Sequence, residues 1–264
     1  NLSWPLFFFL IAYVVGMFFA QRATANLVPT DTNMTAYFIV SAIVGVIMMA
    51  VFYNLTKFIV AKVCHYKVFY FSFLGIVYEN DKKRKISYDI VRITDFAMQF
   101  APEDENIERN PRPIFLGGLI GFALYSIISL SLFFALSLAE NNSIIGWGAL
   151  FSLIFGLMFI FYEWIPLRQD YPTDVFNLLM TTGKDNQKAF NIVQINNMHD
   201  VDGENYLVAE FNDYSNYYKA QVLYYIYLDL LYKNELEKAV KILSEMKAHI
   251  NDLPDTVKYL PIAE

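Results

Sequence analysis

Cysteine is nearly missing from the 264 residues. Cys64 stands alone, which excludes an intrachain disulfide framework and a multi-cysteine zinc site. Histidine is almost as scarce: His65, His199 and His249 are the only three, and none belongs to a His-Glu-x-x-His motif. Charge is thin at 17% of residues, against about 25% in a soluble domain. There is no basic excess. The net charge of −6 argues against a nucleic-acid footprint. Gly-x-Ser-x-Gly, a phosphate loop and a dinucleotide fingerprint are absent as well. What fills the chain is apolar: 56% hydrophobic and 17% aromatic residues, with mean hydropathy +0.34. That is the composition of an integral membrane protein with a substantial polar portion.

Four uncharged stretches are long enough to cross a bilayer: Trp4–Ala20, Ala36–Tyr53, Ile114–Ala139 and Ser143–Tyr162. A span needs roughly 17–25 residues, because each adds about 1.5 Å across a hydrocarbon core about 30 Å thick. The first is short, opens with Pro5 and precedes Ala23-Thr24-Ala25, which has the look of a signal-peptidase site. It lacks a basic start and is read as a span. Lys62–Pro113 carries nine Lys or Arg residues, whereas residues 21–35 hold only Arg22. The positive-inside rule therefore makes the middle loop, the C-terminal region and, with four spans, the N-terminus cytoplasmic.

Leu55, Phe58, Ile59 and Val63 continue the helical spacing of the second span, predicting one long helix from Thr35 to Cys64. Val68–Tyr78 is aromatic and β-branched, and Lys85–Ile93 alternates, with Glu79–Arg84 between them. This predicts a β-hairpin, lying at the membrane surface or on the bundle. Ala101–Pro113 reads as a loop. From Asp174 the periodicity predicts helices over Asp174–Thr182, Lys184–Met198, Tyr217–Tyr232 and Glu235–Ile250. The expected fold is mainly α. It is a polytopic membrane helical bundle of about four spans, with a membrane-adjacent β-hairpin and a C-terminal cytoplasmic helical domain. The boundaries fall at 1–64, 65–113, 114–173 and 174–264.

Chemistry-bearing clusters are few. Cys64 and His65 would sit about 100° apart on a helix, a poor chelating geometry. His199-Asp200-Val201-Asp202-Gly203 lacks the spaced ligands of a calcium loop and reads as a polar turn. Gly117-Gly118 reads as close helix packing. Two polar clusters flank the spans: Tyr53-Asn54-Leu55-Thr56-Lys57 after the second and Arg168–Asp174 after the fourth. Tyr53 and Lys57 share a helix face, and interfacial chemistry alone accounts for Tyr and Lys at that depth.

With these clusters in place, the chain resembles the site-2-protease family of intramembrane zinc metalloproteases, in its bacterial branch with a helical cytoplasmic tail. Tyr53–Lys57 stands where that family carries His-Glu-Leu-Gly-His, and Thr173-Asp174-Val175 where it carries an Asn-Asp-Gly-like segment. His65-Tyr66-Lys67, Ala97–Pro102, Leu116-Gly117-Gly118 and Ile165-Pro166-Leu167 resemble further family elements in order and spacing. The resemblance implies a bacterial plasma membrane and a degenerate site at Tyr53, Asn54, Lys57 and Asp174.

Both histidine ligands are replaced, and the glutamate that would activate water is Asn54. Tyr and Lys are protonated at neutral pH, and an amide cannot serve as base. Such a site implies no catalytic residue, no metal and no cofactor. Lys57 is expected to pair with Asp174 where a metal stood. The implied function is a non-catalytic, peptide- or partner-binding membrane protein, with Phe69, Phe71 and Phe73 on a strand that an extended peptide would join. An accessory or structural subunit of a membrane transporter, such as one of the ABC type, is the second expectation. A residual metalloprotease is the third. Partners are then the lipid bilayer and a protein or peptide, not a nucleic acid.

Overall fold

The computed structural model describes residues 34–80, 84–90, 97–139, 144–166, 172–199, 206–211 and 216–252. The expected span at Trp4–Ala20 lies outside the described residues, as does the turn at 200–203. Among the described residues there are seven α-helices and four strands. In chain order these are α1 (Met34–Val63), β1 (Tyr66–Phe73), β2 (Ile76–Asn80), β3 (Arg84–Tyr88), β4 (Ala97–Pro102), α2 (Arg112–Ala139), α3 (Ile144–Trp164), α4 (Asp174–Met180), α5 (Lys184–His199), α6 (Tyr217–Tyr232) and α7 (Leu236–Ala248). Helices α1, α2 and α3 are long and apolar enough to cross a membrane, and they mark the chain as a membrane protein. The chain divides into two compact units: residues 1–57 with 116–165, and 58–115 with 166–264.

In the first unit the three long helices meet through small residues. A Cβ on Gly45 would strike the Ser152 backbone of α3, and one on Gly156 would press on the Gly45 carbonyl and Met49. Glycine here lets two helix backbones approach closely, which is how apolar helices gain dispersion contact when hydrocarbon surrounds them. Phe38, Ala42, Phe151 and Phe155 fill the neighbouring layer. Helices α2 and α3 are joined by the Tyr125 hydroxyl, which donates to Ser152 Oγ at 2.9 Å. Ser152 in turn donates to the Ala149 carbonyl at 2.8 Å, so this buried pair is satisfied. Helix α2 is the least covered of the three, with 17% of its most apolar window buried.

In the second unit the expected hairpin is a four-stranded antiparallel sheet, ordered β3-β2-β1-β4. The run Val68–Tyr78 is not one strand. It breaks at Leu74 and Gly75, both with positive φ (50° and 80°), the pair of values a tight two-residue hairpin needs. Segment Ala97–Pro102, whose last two residues were read as the start of a loop, is β4 and pairs with β1 from Tyr66↔Pro102 to Ser72↔Ala97, with a bulge between Val68 and Tyr70. The expected Cys64–His65 helix end is instead a tight exit: α1 stops at Val63 and His65 takes a left-handed conformation, φ 59°.

Helix α5 is the axis of this unit. Every residue from Ala189 to Asn196 is buried, including three amides. Asn191 Nδ2 donates to the carbonyls of Ile107 (2.9 Å) and Arg109 (2.8 Å), and its Oδ1 accepts from the Tyr66 hydroxyl at 3.0 Å. Asn196 exchanges two 2.9 Å bonds with the Leu207 backbone. These amides pin the loop after β4 and the segment at 206–211 to the helix. Helix α6 uses two faces. Tyr217, Tyr218 and Val222 join the core of Phe190 and Val193, and Ala220 and Leu223 pack on Leu243 and Met246 of α7. Leu236 and Val240 on α7 are 58% exposed.

Candidate functional site

The polar cluster of α1 is buried in an otherwise apolar helix. Tyr53, Asn54, Thr56 and Lys57 are 1%, 5%, 7% and 6% exposed, while Leu55 between them is half exposed. Such placement is costly in hydrocarbon and marks a site by default. Most of the polar capacity turns back on the helix itself. Asn54 Nδ2 donates to the Ala50 carbonyl at 2.9 Å. Thr56 Oγ1 reaches the carbonyls of Phe52 and Tyr53 at 2.9 and 3.0 Å. These are local bonds to residues three and four positions back, and an amide donor spent on its own helix is not aimed at a substrate.

The Tyr53 ring is a packing element. It lies where a Cβ on Gly118 would be, and it meets Phe159 edge-on at 5.4 Å. Of the pair read as close packing, Gly118 serves that purpose against Tyr53, and Gly121, which was not singled out, does the same against the Phe52 carbonyl and Thr56.

Asp174 is the first residue of α4 and is 2% exposed. Thr173, the residue before the helix, makes no side-chain capping bond. Around Asp174 the second unit closes α4 onto the start of α6. Tyr218 donates to Asn177 Oδ1, and Asn177 Nδ2 donates to the Pro172 carbonyl at 3.2 Å. Asn216 Nδ2 donates to the Met180 carbonyl at 2.8 Å, and Phe176 meets Tyr217 edge-on. Burial, with Tyr217 and Asp174 adding in the same direction, pushes the Tyr218 phenol well above its usual pKa, so it acts as a neutral donor. Tyr53, Asn54 and Lys57 belong to the first unit and Asp174 to the second. Among the described residues no three His, Cys, Asp or Glu side chains converge as a metal-binding group.

No family model, no curated protein and no solved structure matches the chain.

The three phenylalanines proposed for peptide capture lie on β1. Phe69 sits at the bulge and is buried with Tyr70, Val77 and Ile195. Phe71 and Phe73 stack on the opposite face, ring centroids 6.2 Å apart. Strand β1 is interior: over Tyr70–Ser72 it pairs with β2 on one side and β4 on the other. Its backbone groups there are spent, so an added strand has no open edge at that place, contrary to the expectation. The outer strands of the sheet are β3 and β4. Across the sheet, Phe71, Tyr78 and Ile86 form one row and Phe73, Ile76 and Tyr88 the next. At the β3 end this apolar face opens to solvent, with Ile86 75% and Tyr88 63% exposed.

Sequence reasoning missed the buried amides of α5, because polar residues in a helix read as a solvated face. The signal that finds them is the absence of any continuous apolar stripe in a helix flanked by apolar elements.

Proposed function

We propose that the chain is a non-catalytic, site-2-protease-like membrane protein that holds a peptide or a membrane partner without cutting it. The observation that carries this reading is the fate of Tyr53 and Asn54. At the two positions where the resemblance calls for a ligand and a base, one side chain packs against Gly118 and Phe159, and the other donates to its own helix. Hydrolysis at zinc needs several protein ligands, an open position and a base, and these two groups are engaged elsewhere. Lys57, buried in the same cluster, brings a positive charge to the place of the second ligand.

Peptide capture, in this reading, uses the outer edge of β3, where Ile86 and Tyr88 supply exposed apolar contacts. A bacterial plasma membrane and cytoplasmic termini belong to the same proposal, resting on the resemblance and on the basic residues between Lys62 and Pro113.

The test is a photocrosslinking amino acid at Ile86 or Tyr88 in the full chain, followed by mild-detergent purification. A discrete peptide or protein adduct supports the proposal. Cleavage of a peptide by the purified chain, or a stoichiometric metal ion in it, overturns it in favour of a residual metalloprotease.

One observation favours the second reading, an accessory subunit of a membrane transporter. Helix α2 leaves Ile120, Leu124, Ile127 and Phe134 between 45% and 62% exposed, a lateral face that another membrane helix would cover. A crosslinker at Ile127 that captures a transporter subunit, with none captured at Ile86, selects that reading.

A further inference from the structure

We infer that the pocket at the start of α5 binds an oxyanion of the phosphate class. The pocket has a volume of about 300 Å³ and is lined by Gly183, Lys184, Asp185, Asn186 and Lys219, near the lower end of small-molecule sites. The inference stands apart from the proposed function, since none of these residues belongs to the degenerate site.

Three features of the second unit meet there. The first is Lys219, which is 6% exposed. Its amine lies 5.9 Å from the centre of the Phe211 ring and makes no hydrogen bond or ion pair among the described residues. A lysine whose stem is buried, while its amine lines the pocket with a ring face beside it, keeps its charge available to an anion. Lys219 also sits in the first turn of α6, a turn with no acidic residue, where the helix dipole already disfavours a cation. Among the described residues, the face of the Phe211 ring is what favours its charge.

The second feature is the uncapped start of α5. Gly183 precedes the helix with φ 90° and has no side-chain oxygen to offer. The first intrahelical bond runs from the Gln187 amide to the Gly183 carbonyl at 3.1 Å. The amides of Lys184, Asp185 and Asn186 therefore precede the helical ladder, and a 16-residue helix presents them with its positive end. Helix starts of this kind accept phosphate oxygens. The third feature is Asn186 Oδ1, a buried acceptor without a partner, whose own amide is spent on the Thr182 carbonyl.

Together these specify a ligand with oxygens to accept from Lys219 and the α5 amides, and one hydroxyl to donate to Asn186. A phosphate monoanion or a phosphomonoester has both. Asp185, the one carboxylate lining the pocket, disfavours a dianion, while Lys184 and Lys219 leave the lining net positive.

The probe is inorganic phosphate added to the full chain in a neutral detergent, with chloride adjusted to hold ionic strength. Thermal unfolding and ³¹P line broadening report binding. Phosphate raises the midpoint, and Lys219→Met weakens apparent affinity about tenfold or more, the usual loss of a charge-assisted hydrogen bond. Without phosphate, Lys219→Met unfolds close to the parent chain, because the amine it removes gives up only its contact with the Phe211 ring. Lys219→Arg folds and retains binding.

Nanodiscs separate the sources. If phosphatidic acid in the bilayer competes with phosphate and phosphatidylcholine does not, the ligand is a lipid headgroup. If neither competes, it is a soluble phosphate compound. An unchanged midpoint at constant ionic strength, or equal phosphate binding by Lys219→Met, overturns the inference.

Discussion

Replacing Gly118 by alanine tests whether Tyr53 is a packing residue or a group reserved for chemistry. The new methyl carbon would fall within the Tyr53 ring. That ring is 1% exposed and backed edge-on by Phe159, so it has no neighbouring space to enter. Forcing one methyl into a filled core costs about 1–3 kcal/mol, a drop of roughly 5- to 150-fold in the folding equilibrium. Tyr53→Ala alone leaves a cavity and should cost about 3–5 kcal/mol, as large aromatic truncations do. In the double variant the methyl gains the room the ring vacated. Tyr53→Ala/Gly118→Ala should then be no less stable than Tyr53→Ala, a coupling of about 1–3 kcal/mol. Reversible unfolding in mixed micelles, or steric trapping in bicelles, measures each corner of the cycle. Additivity within about 0.5 kcal/mol, or a Gly118→Ala variant as stable as the parent, would refute the packing argument and return Tyr53 to the list of groups available for a ligand.

Further outcomes follow from the second unit. Asn191→Ala removes one acceptor and two donated bonds at once, and should destabilise by about 2–4 kcal/mol, read by denaturant unfolding; a loss below about 1 kcal/mol would mean those carbonyls find other donors. Gly75→Ala forces a Cβ into φ 80° and against the Asp89 carbonyl, and should cost about 1–2 kcal/mol, seen as a lowered midpoint. The Arg109 guanidinium holds the Asp104 carboxyl down at about 2, with bonds of 3.0 and 2.7 Å. A depressed folded value means stability that is present above the unfolded value of about 3.9 and lost as pH falls toward 2. The difference in midpoint between the parent chain and Asp104→Asn should therefore close between about pH 4 and pH 2, and a difference independent of pH would sink that assignment.

Much of the helical architecture was legible in the sequence, for a simple reason. Ala36–Tyr53, Ile114–Ala139 and Ser143–Tyr162 carry no charge over a bilayer's length, and few other structures tolerate that. The helices from Asp174 onward announced themselves by periodicity and by stops at Gly183 and Asn234. The sheet was harder. Val68–Tyr78 is β-forming throughout, so its break at Leu74-Gly75 gave no compositional warning. Ala97–Pro102 lacks alternation and ends in proline, so β4 did not read as a strand. The polar cluster of α1 was legible as a set of residue types but not as geometry: that Asn54 bonds its own helix and that Tyr53 fills the space over Gly118 depends on side-chain direction. The pocket at the start of α5 had no sequence signal, because Gly183 precedes one helix, Lys219 lies on another, and neither position is unusual in isolation.

The thin covering of α2 has a consequence for any measurement on this protein. A helix of 28 residues extends about 42 Å at 1.5 Å per residue, well beyond a hydrocarbon slab of about 30 Å. Most of its flank is wetted by whatever surrounds it, be it acyl chains, detergent or a neighbouring protein. Thicker or thinner bilayers must be met by tilting or by local stretching of the lipid, so lipid chain length becomes a thermodynamic variable of the fold on a par with temperature.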